Sequence, residues 1–297
     1  MATSGLVLVD KPQGFTSHDV VAKVRKALGT KKVGHAGTLD PLATGLLVLG
    51  IESGTKLLTF LVGADKTYLA TIRLGVSTVS DDSESEVIET ASSDALALVT
   101  PQRISQEILN LTGPIQQRPS SVSAIKVDGK RAYDLVREGV EVELKPREVR
   151  VHEFELLKSS KSPEGFIDLE VRVDCSTGTY IRALARDLGE GLGVGGHITS
   201  LRRTKVGNFH VEDSNKITEL DSLRLTPLAK AAGDLFETVS LNPQQVTDLV
   251  HGKRISAKVS SSALIAGVSE AGNLIAVLEQ VDSDLKSVVV FQGEKND

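Results

Sequence analysis

The sequence predicts an α+β fold: a large mixed part followed by a small β-rich segment. Three observations carry this. Apolar runs of strand length, such as 6–9 and 46–49, alternate with stretches of helical periodicity, one running to about Leu28 and one in the later part of 175–189. Helix-capping residues bracket the first such stretch, Thr16 or Ser17 before it and Gly29 after it. From about Thr238 the composition changes to three apolar runs, 263–268, 274–278 and 288–291, separated by glycine- or acid-containing turns.

Composition sets outer bounds. At 297 residues the chain can bury a large core, as one large domain or a large one with a small one. No stretch approaches a membrane-spanning helix, and Met1–Gly5 lacks the basic and apolar regions of a signal peptide, so a cytoplasmic location is expected. The one cysteine, Cys175, excludes an internal disulfide and a cysteine-based zinc site. There is no phosphate-binding glycine loop, no dinucleotide fingerprint and no His/Glu pair at metal spacing, so neither metal nor cofactor is called for. The net charge of −5 opposes nucleic-acid binding, but it is segregated: residues 1–60 carry seven Lys/Arg against four Asp/Glu, and 80–107 carry one against seven. Such an asymmetric field still draws polyanions to one face.

Taken in order, Leu6–Val9 is a strand ending in the turn Asp10–Gly14, and a helix then runs to Leu28. Val20, Val21, Val24 and Leu28 share one helix face, with Lys23, Arg25 and Lys26 pointing away. With Lys31 and Lys32 these make a basic surface before the stretch Gly34–Gly50, in which one acid and one imidazole sit on a glycine-punctuated loop running into an apolar strand. Pro41 biases Asp40 toward an extended conformation. A carboxylate at the lip of a core strand is held rigidly, yet an Asp among Gly, Thr and Pro is most often an Asx-turn, so spacing alone leaves both readings open.

A short helix is expected over 55–62, and 65–75 shows strand-like alternation, with Tyr68 near the strand's start. The acidic segment 80–95 reads as a mobile loop. Pro101 opens a helix through Leu111, 132–138 should be helical, and 147–157 and 166–174 are two strands joined by a polar loop. The stretch 175–189 begins as a turn and continues as an amphipathic helix carrying Arg182, and Leu249–Arg254 is a basic entry to the terminal β-rich part.

The stretch Gly34-His35-Ala36-Gly37-Thr38-Leu39-Asp40-Pro41 closely resembles the signature of the TruB family, the tRNA pseudouridine-55 synthases. Segments 113–133, 175–189 and 195–207 match further family blocks in order, so the resemblance covers roughly residues 5–210. It implies a pseudouridine synthase fold, a mixed and largely antiparallel sheet flanked by helices. The implied domains are 1–236, catalytic, with an RNA-clamping thumb insertion at about 113–146, and 237–297, a PUA-like RNA-binding module. Many relatives carry a second proline and an aromatic where this chain has Ser120 and Val122.

The implied activity is isomerisation of uridine 55 in the T-loop of tRNA. The C1′–N1 bond breaks, the uracil turns, and it is rejoined through C5. The resemblance makes Asp40 the catalytic residue, stacks Tyr68 on the target base and pairs Arg182 with the carboxylate, keeping it ionised. His35, which alone reads as a turn histidine, would hold the flipped-out state, and Tyr180 and Leu201 would bind substrate. A base leaves its stack at a cost of a few kcal/mol, and stacking on an aromatic returns about 1–3 kcal/mol. The resemblance implies chemistry without metal or nucleotide cofactor and the T-arm of tRNA as partner; no obligate protein partner is evident, so a monomer is expected. Two rivals remain from the residues alone. A non-catalytic RNA-binding protein would need no reactive acid, and a glycosidase would need a second carboxylate that this loop does not supply.

Overall fold

The computed structural model describes residues 3–120, 126–127, 130–131, 144–257 and 264–291. It divides into two compact units, one of residues 1–40, 46–62 and 207–297, the other of 41–45 and 63–206.

The first unit opens with β1 (Gly5–Lys11) and α1 (Ser17–Leu28). The helix starts on a capping box: the Thr16 hydroxyl accepts from the Asp19 N–H, and the Asp19 carboxylate accepts from the Thr16 N–H. Gly29 ends it at φ 64°, a left-handed conformation that costs glycine nothing. Val20, Val21 and Val24 pack against Val7, Val9, Leu47, Leu49 and Ile51, so the apolar face expected from spacing is the buried one. β2 (Val33–His35) pairs antiparallel with the end of β3 (Thr44–Ile51). A 3-10 turn over Glu52–Lys56 then precedes α2 (Leu58–Val62), dividing the single helix expected there. That turn lays Gly54 on Gly5, where a Cβ would stand 2.0 Å from the Gly5 carbonyl oxygen.

The second unit is built on β4 (Lys66–Leu74). After it come the hairpin β5 (Val76–Thr78) and β6 (Val87–Thr90), then α3 (Ser93–Ala97), α4 (Pro101–Asn110) and β7 (Gly113–Gln117). β8 (Lys126–Val127) pairs antiparallel with β9 (Lys130–Arg131); the helix expected at 132–138 lies outside the described residues. β10 (Arg147–Lys161) and β11 (Ile167–Cys175) pair further than expected, leaving only a short turn between them. α5 (Ile181–Leu192) and β12 (Gly196–Val206) complete the unit. Its sheet runs from the start of β3 through β12, β4, β11 and β10 to β7, antiparallel except where Thr44 and Gly45 pair parallel with Arg202 and Arg203. α5 buries Ala183, Leu184 and Leu188 against β12 and β4.

The expected mobile loop at 80–95 is corrected. Residues 76–90 form a hairpin, 93–97 a helical turn, and Asp81 and Asp82 are buried. The other acids of the segment, Glu84, Glu86, Glu89 and Asp94, stay exposed.

The chain returns to the first unit with β13 (Phe209–His210), β14 (Asn215–Lys216) parallel to β1, and β15 (Leu225–Pro227) antiparallel to β1. Next come α6 (Leu228–Gly233), β16 (Glu237–Leu241), α7 (Pro243–Val250), β17 (Ile255–Ser256), β18 (Ile265–Ser269), β19 (Leu274–Val281) and β20 (Asp284–Val290). The last strands form a separate sheet in the order β16–β18–β19–β20–β17, as the three terminal apolar runs anticipate. Its core is Leu241, Leu249, Ile255, Ile265, Leu278 and Leu285. The small buried residues of α6, Ala231 and Ala232, let it lie against β1 and β15 on one side and β16, β18 and β19 on the other. The basic entry ends up ion-paired, Lys253 to Asp248 at 3.1 Å and Arg254 to Asp282 at 3.9 Å. Among the described residues no helix is long and apolar enough to cross a membrane, and no cluster of His, Cys, Asp and Glu could hold a metal.

Candidate active site

In the first unit the loop bearing His35 and Asp40 is fixed through its main chain. Ser17, at the first turn of α1 and buried, donates its hydroxyl to the Leu39 carbonyl at 3.1 Å and accepts from the Leu39 N–H at 2.8 Å. Leu39 itself is buried, so the residue before Asp40 is held by packing and by both polar groups of its backbone. Ala36 donates to the Val48 carbonyl at 3.0 Å, tying the loop to β3, and Gly37 supplies a φ of 91° that other residues rarely adopt. His35 stands edge-on to His18, ring centroids 6.3 Å apart. Asp40 is half-buried.

In the second unit the strand register collects several expected residues on one face. Tyr68 of β4 lies opposite Arg203 of β12 and Val173 of β11, and Leu201 lies opposite Ala70, two residues along the same face. Both are more than nine-tenths buried. The same face carries Lys66, whose ammonium donates to the Ala64 carbonyl at 2.6 Å. Burial, and next the charge of Arg203, pull the Lys66 pKa down to about 8. Gly45 meets the backbone of Arg203 so closely that a Cβ would sit 2.2 Å from its carbonyl oxygen, which sets the start of β3 against β12.

Arg182 lies on the first turn of α5 and is buried. Its Nη1 donates to the Ser80 carbonyl at 2.7 Å and stands 3.3 Å from Oδ2 of Asp82. One turn on, Arg186 reaches Asp81 at 3.2 Å, Asp187 at 2.7 Å and the Arg118 carbonyl at 2.7 Å. Asp82 also accepts from the Ser80 hydroxyl at 2.5 Å and the Glu84 N–H at 3.0 Å. Burial pushes the Asp81 carboxyl above the usual carboxylate range, and the two arginines act against it. Asp81 itself bends backward at φ 60°, which aims two consecutive carboxylates at arginines four apart on one helix face. Sequence reading missed Asp81, Asp82 and Ser80. The available signal was a pair of buried-helix arginines requiring counter-charges. Tyr180, the N-cap of α5, is half-buried. Thus Tyr68, Tyr180, Arg182 and Leu201 belong to the second unit, and His35 and Asp40 to the first.

Comparison with known proteins decides the family. Residues 25–181 match the family model of the TruB pseudouridylate synthase N-terminal domain, and 182–235 that of the tRNA pseudouridylate synthase B C-terminal domain. The chain belongs to the TruB family of pseudouridylate synthases. A protein of Leifsonia xyli named tRNA pseudouridine synthase B is 52% identical, over 99% of this chain and 99% of that one. One of the same name from Corynebacterium diphtheriae is 48% identical over 98% and 97%. Among solved structures, a Cbf5–Nop10–Gar1 complex contains a chain with TM-score 0.71 and 25% identity, covering 97% of this chain and 84% of that one. An H/ACA RNP bound to a substrate RNA containing 2′-deoxyuridine has a chain with TM-score 0.71 and 24% identity, covering 97% and 85%. Membership makes the chain an isomerase with the pseudouridine synthase fold.

Proposed function

We propose that this TruB-family isomerase acts on tRNA, converting the uridine at position 55 of the T-loop to pseudouridine with Asp40 as its catalytic carboxylate. The substrate follows from the relatives named tRNA pseudouridine synthase B. The assignment of Asp40 is carried by one observation, the double hold of Ser17 on Leu39. A reacting group must keep its position to within a fraction of an ångström, and two opposed main-chain hydrogen bonds one residue away supply that constraint.

The other residues take roles suited to their surroundings. Tyr68 and Leu201 share one sheet face and form walls for a base taken out of its stack. Arg182 supplies the cation that the family resemblance pairs with that carboxylate, its own orientation fixed by Asp82 and the Ser80 carbonyl. His35 occupies the gap that the flipped base leaves in the RNA, and Tyr180 contacts the substrate. The terminal sheet from residue 237 onward serves as an RNA-binding module of PUA type, and the insertion at about 113–146 clamps the T-arm.

The test is pseudouridine formation on tRNA transcripts. Wild type should modify a transcript with uridine at position 55 and leave one with cytidine there unmodified. Asp40→Asn should form no product while binding RNA within severalfold of wild type, because phosphates and not this carboxylate dominate affinity. Product from Asp40→Asn would remove Asp40 from the reaction.

A further inference from the structure

Two side chains grip Tyr180 and have no part in the site as described above. Gln117, fully buried at the end of β7, holds the main chain of Tyr180 at two points. Its Nε2 donates to the Tyr180 carbonyl at 3.0 Å, and its Oε1 accepts from the Tyr180 N–H at 2.8 Å. Arg147, the first residue of β10, sets its guanidinium carbon 5.0 Å from the centre of the Tyr180 ring. Gln117 and Arg147 are direct cross-strand partners. One rung of the sheet therefore fixes both the backbone and the ring of a single residue.

Local structure explains why Tyr180 needs such support. Tyrosine is a poor helix N-cap, and the Tyr180 side chain makes no capping hydrogen bond to α5. The amide of Gln117 stands in for an extended strand partner until Tyr180 passes its carbonyl to the Leu184 N–H, the first helical hydrogen bond. Arg147 adds a second clue. Its Nε is buried with no hydrogen-bond partner among the described residues. An orphaned buried donor lowers stability, so packing for stability alone does not select this placement. A planar guanidinium laid on an aromatic face does account for it.

We propose that Gln117 and Arg147 are positioning residues, which fix the Tyr180 ring for contact with the substrate RNA and set the helix start that carries Arg182 two residues on. The proposal deepens the tRNA reading above and rests on it for the role of Tyr180. Gln117 acts on the main chain and Arg147 on the ring, so their variants fail differently.

Gln117→Glu separates positioning from folding. Ionised, it still accepts from the Tyr180 N–H but repels the Tyr180 carbonyl; protonated, it donates there again. Its single-turnover rate relative to wild type should be down about tenfold at neutral pH and climb as pH falls, with RNA affinity little changed. Gln117→Leu should be slow at every pH. Arg147→Met should raise the RNA concentration for half-maximal rate about fivefold, and Arg147→Lys should not restore it, since an ammonium lacks the planar face.

A readout without catalysis is also at hand. The chain has no tryptophan and only three tyrosines, so Tyr68→Phe with Tyr133→Phe leaves Tyr180 as the sole fluorophore. In that background Arg147→Met should increase acrylamide quenching of Tyr180. If wild type forms no pseudouridine in tRNA, the functional reading falls while the quenching still decides the positioning. A flat rate ratio for Gln117→Glu across pH, with only the melting temperature lowered, overturns the role of Gln117. Unchanged quenching overturns that of Arg147.

Discussion

Around Asp40 the first unit uses a neutral hydroxyl and buried leucine to hold its loop, whereas around Arg182 the second unit uses two arginines and three aspartates. A hydroxyl bonded to both main-chain groups of one residue constrains position without charge, and its strength does not change with pH over the range in which proteins stay folded. Buried ion pairs constrain orientation as well, but each charge has been taken from water at a cost that only its partner offsets. The difference teaches how the two kinds of support should fail. Loss of the hydroxyl loosens one loop, while loss of one cation strands a charge.

The largest effect should come from stranding that charge. Arg182→Met leaves Asp82 buried without its cation, which typically costs about 3–5 kcal/mol, read from urea denaturation. Adding Asp82→Asn should recover part of the loss, because the double variant buries no lone charge. Strictly additive values would show that the two side chains are not coupled and would erase the contrast with the first unit.

Lys66 offers a gain of stability. Its folded pKa of about 8 lies below the ordinary 10.5, so between those values the unfolded chain binds more protons. Stability then rises with pH across that window, and below it the buried charge costs about 3 kcal/mol. Lys66→Met should therefore be more stable than wild type at neutral pH, by up to that amount less the interactions the ammonium makes, the bond to Ala64 among them. The advantage should shrink from pH 8 upward and disappear near pH 10.5. A pH-independent difference in melting temperature would mean that Lys66 is not titrating in the fold.

Ser17→Ala should cost about 1–3 kcal/mol, since it leaves the N–H and carbonyl of buried Leu39 unpaired. The loss should be the same at pH 6 and pH 8, and the rate of product formation should fall more than RNA affinity. A loss that grows or fades between those values would mean that charge contributes to the hold on the Asp40 loop. The smallest effect on stability, about 1 kcal/mol or less, is expected for Tyr68→Phe, which keeps the ring's packing. Its activity should nonetheless be largely lost. Unchanged turnover would make Tyr68 a stacking surface without a role for its hydroxyl.

Much of the molecule was legible because its signals are local. Thr16, Asp19 and Gly29 bound α1 through contacts within a few residues, and the apolar run after Gly45 could only be a buried strand. The motif around Asp40 named the family before any geometry was known. The short strands β16 and β17 carry no comparable signal: Glu237–Leu241 is half polar and Ile255–Ser256 too brief for a period to show.

What sequence alone determined was therefore each element whose cause lies in neighbouring side chains, together with the single acid of the central loop. Tertiary structure alone decided the fate of Asp81 and Asp82. A run of acids reads as solvated, and by itself it would be. The arginines that draw two of them into the interior stand about a hundred residues away along the chain, at positions 182 and 186. Gln117 reaches Tyr180 across 63 residues in the same way. Hydration of a charge or an amide is decided by whichever group arrives to replace the water, and only the folded chain brings that group to it.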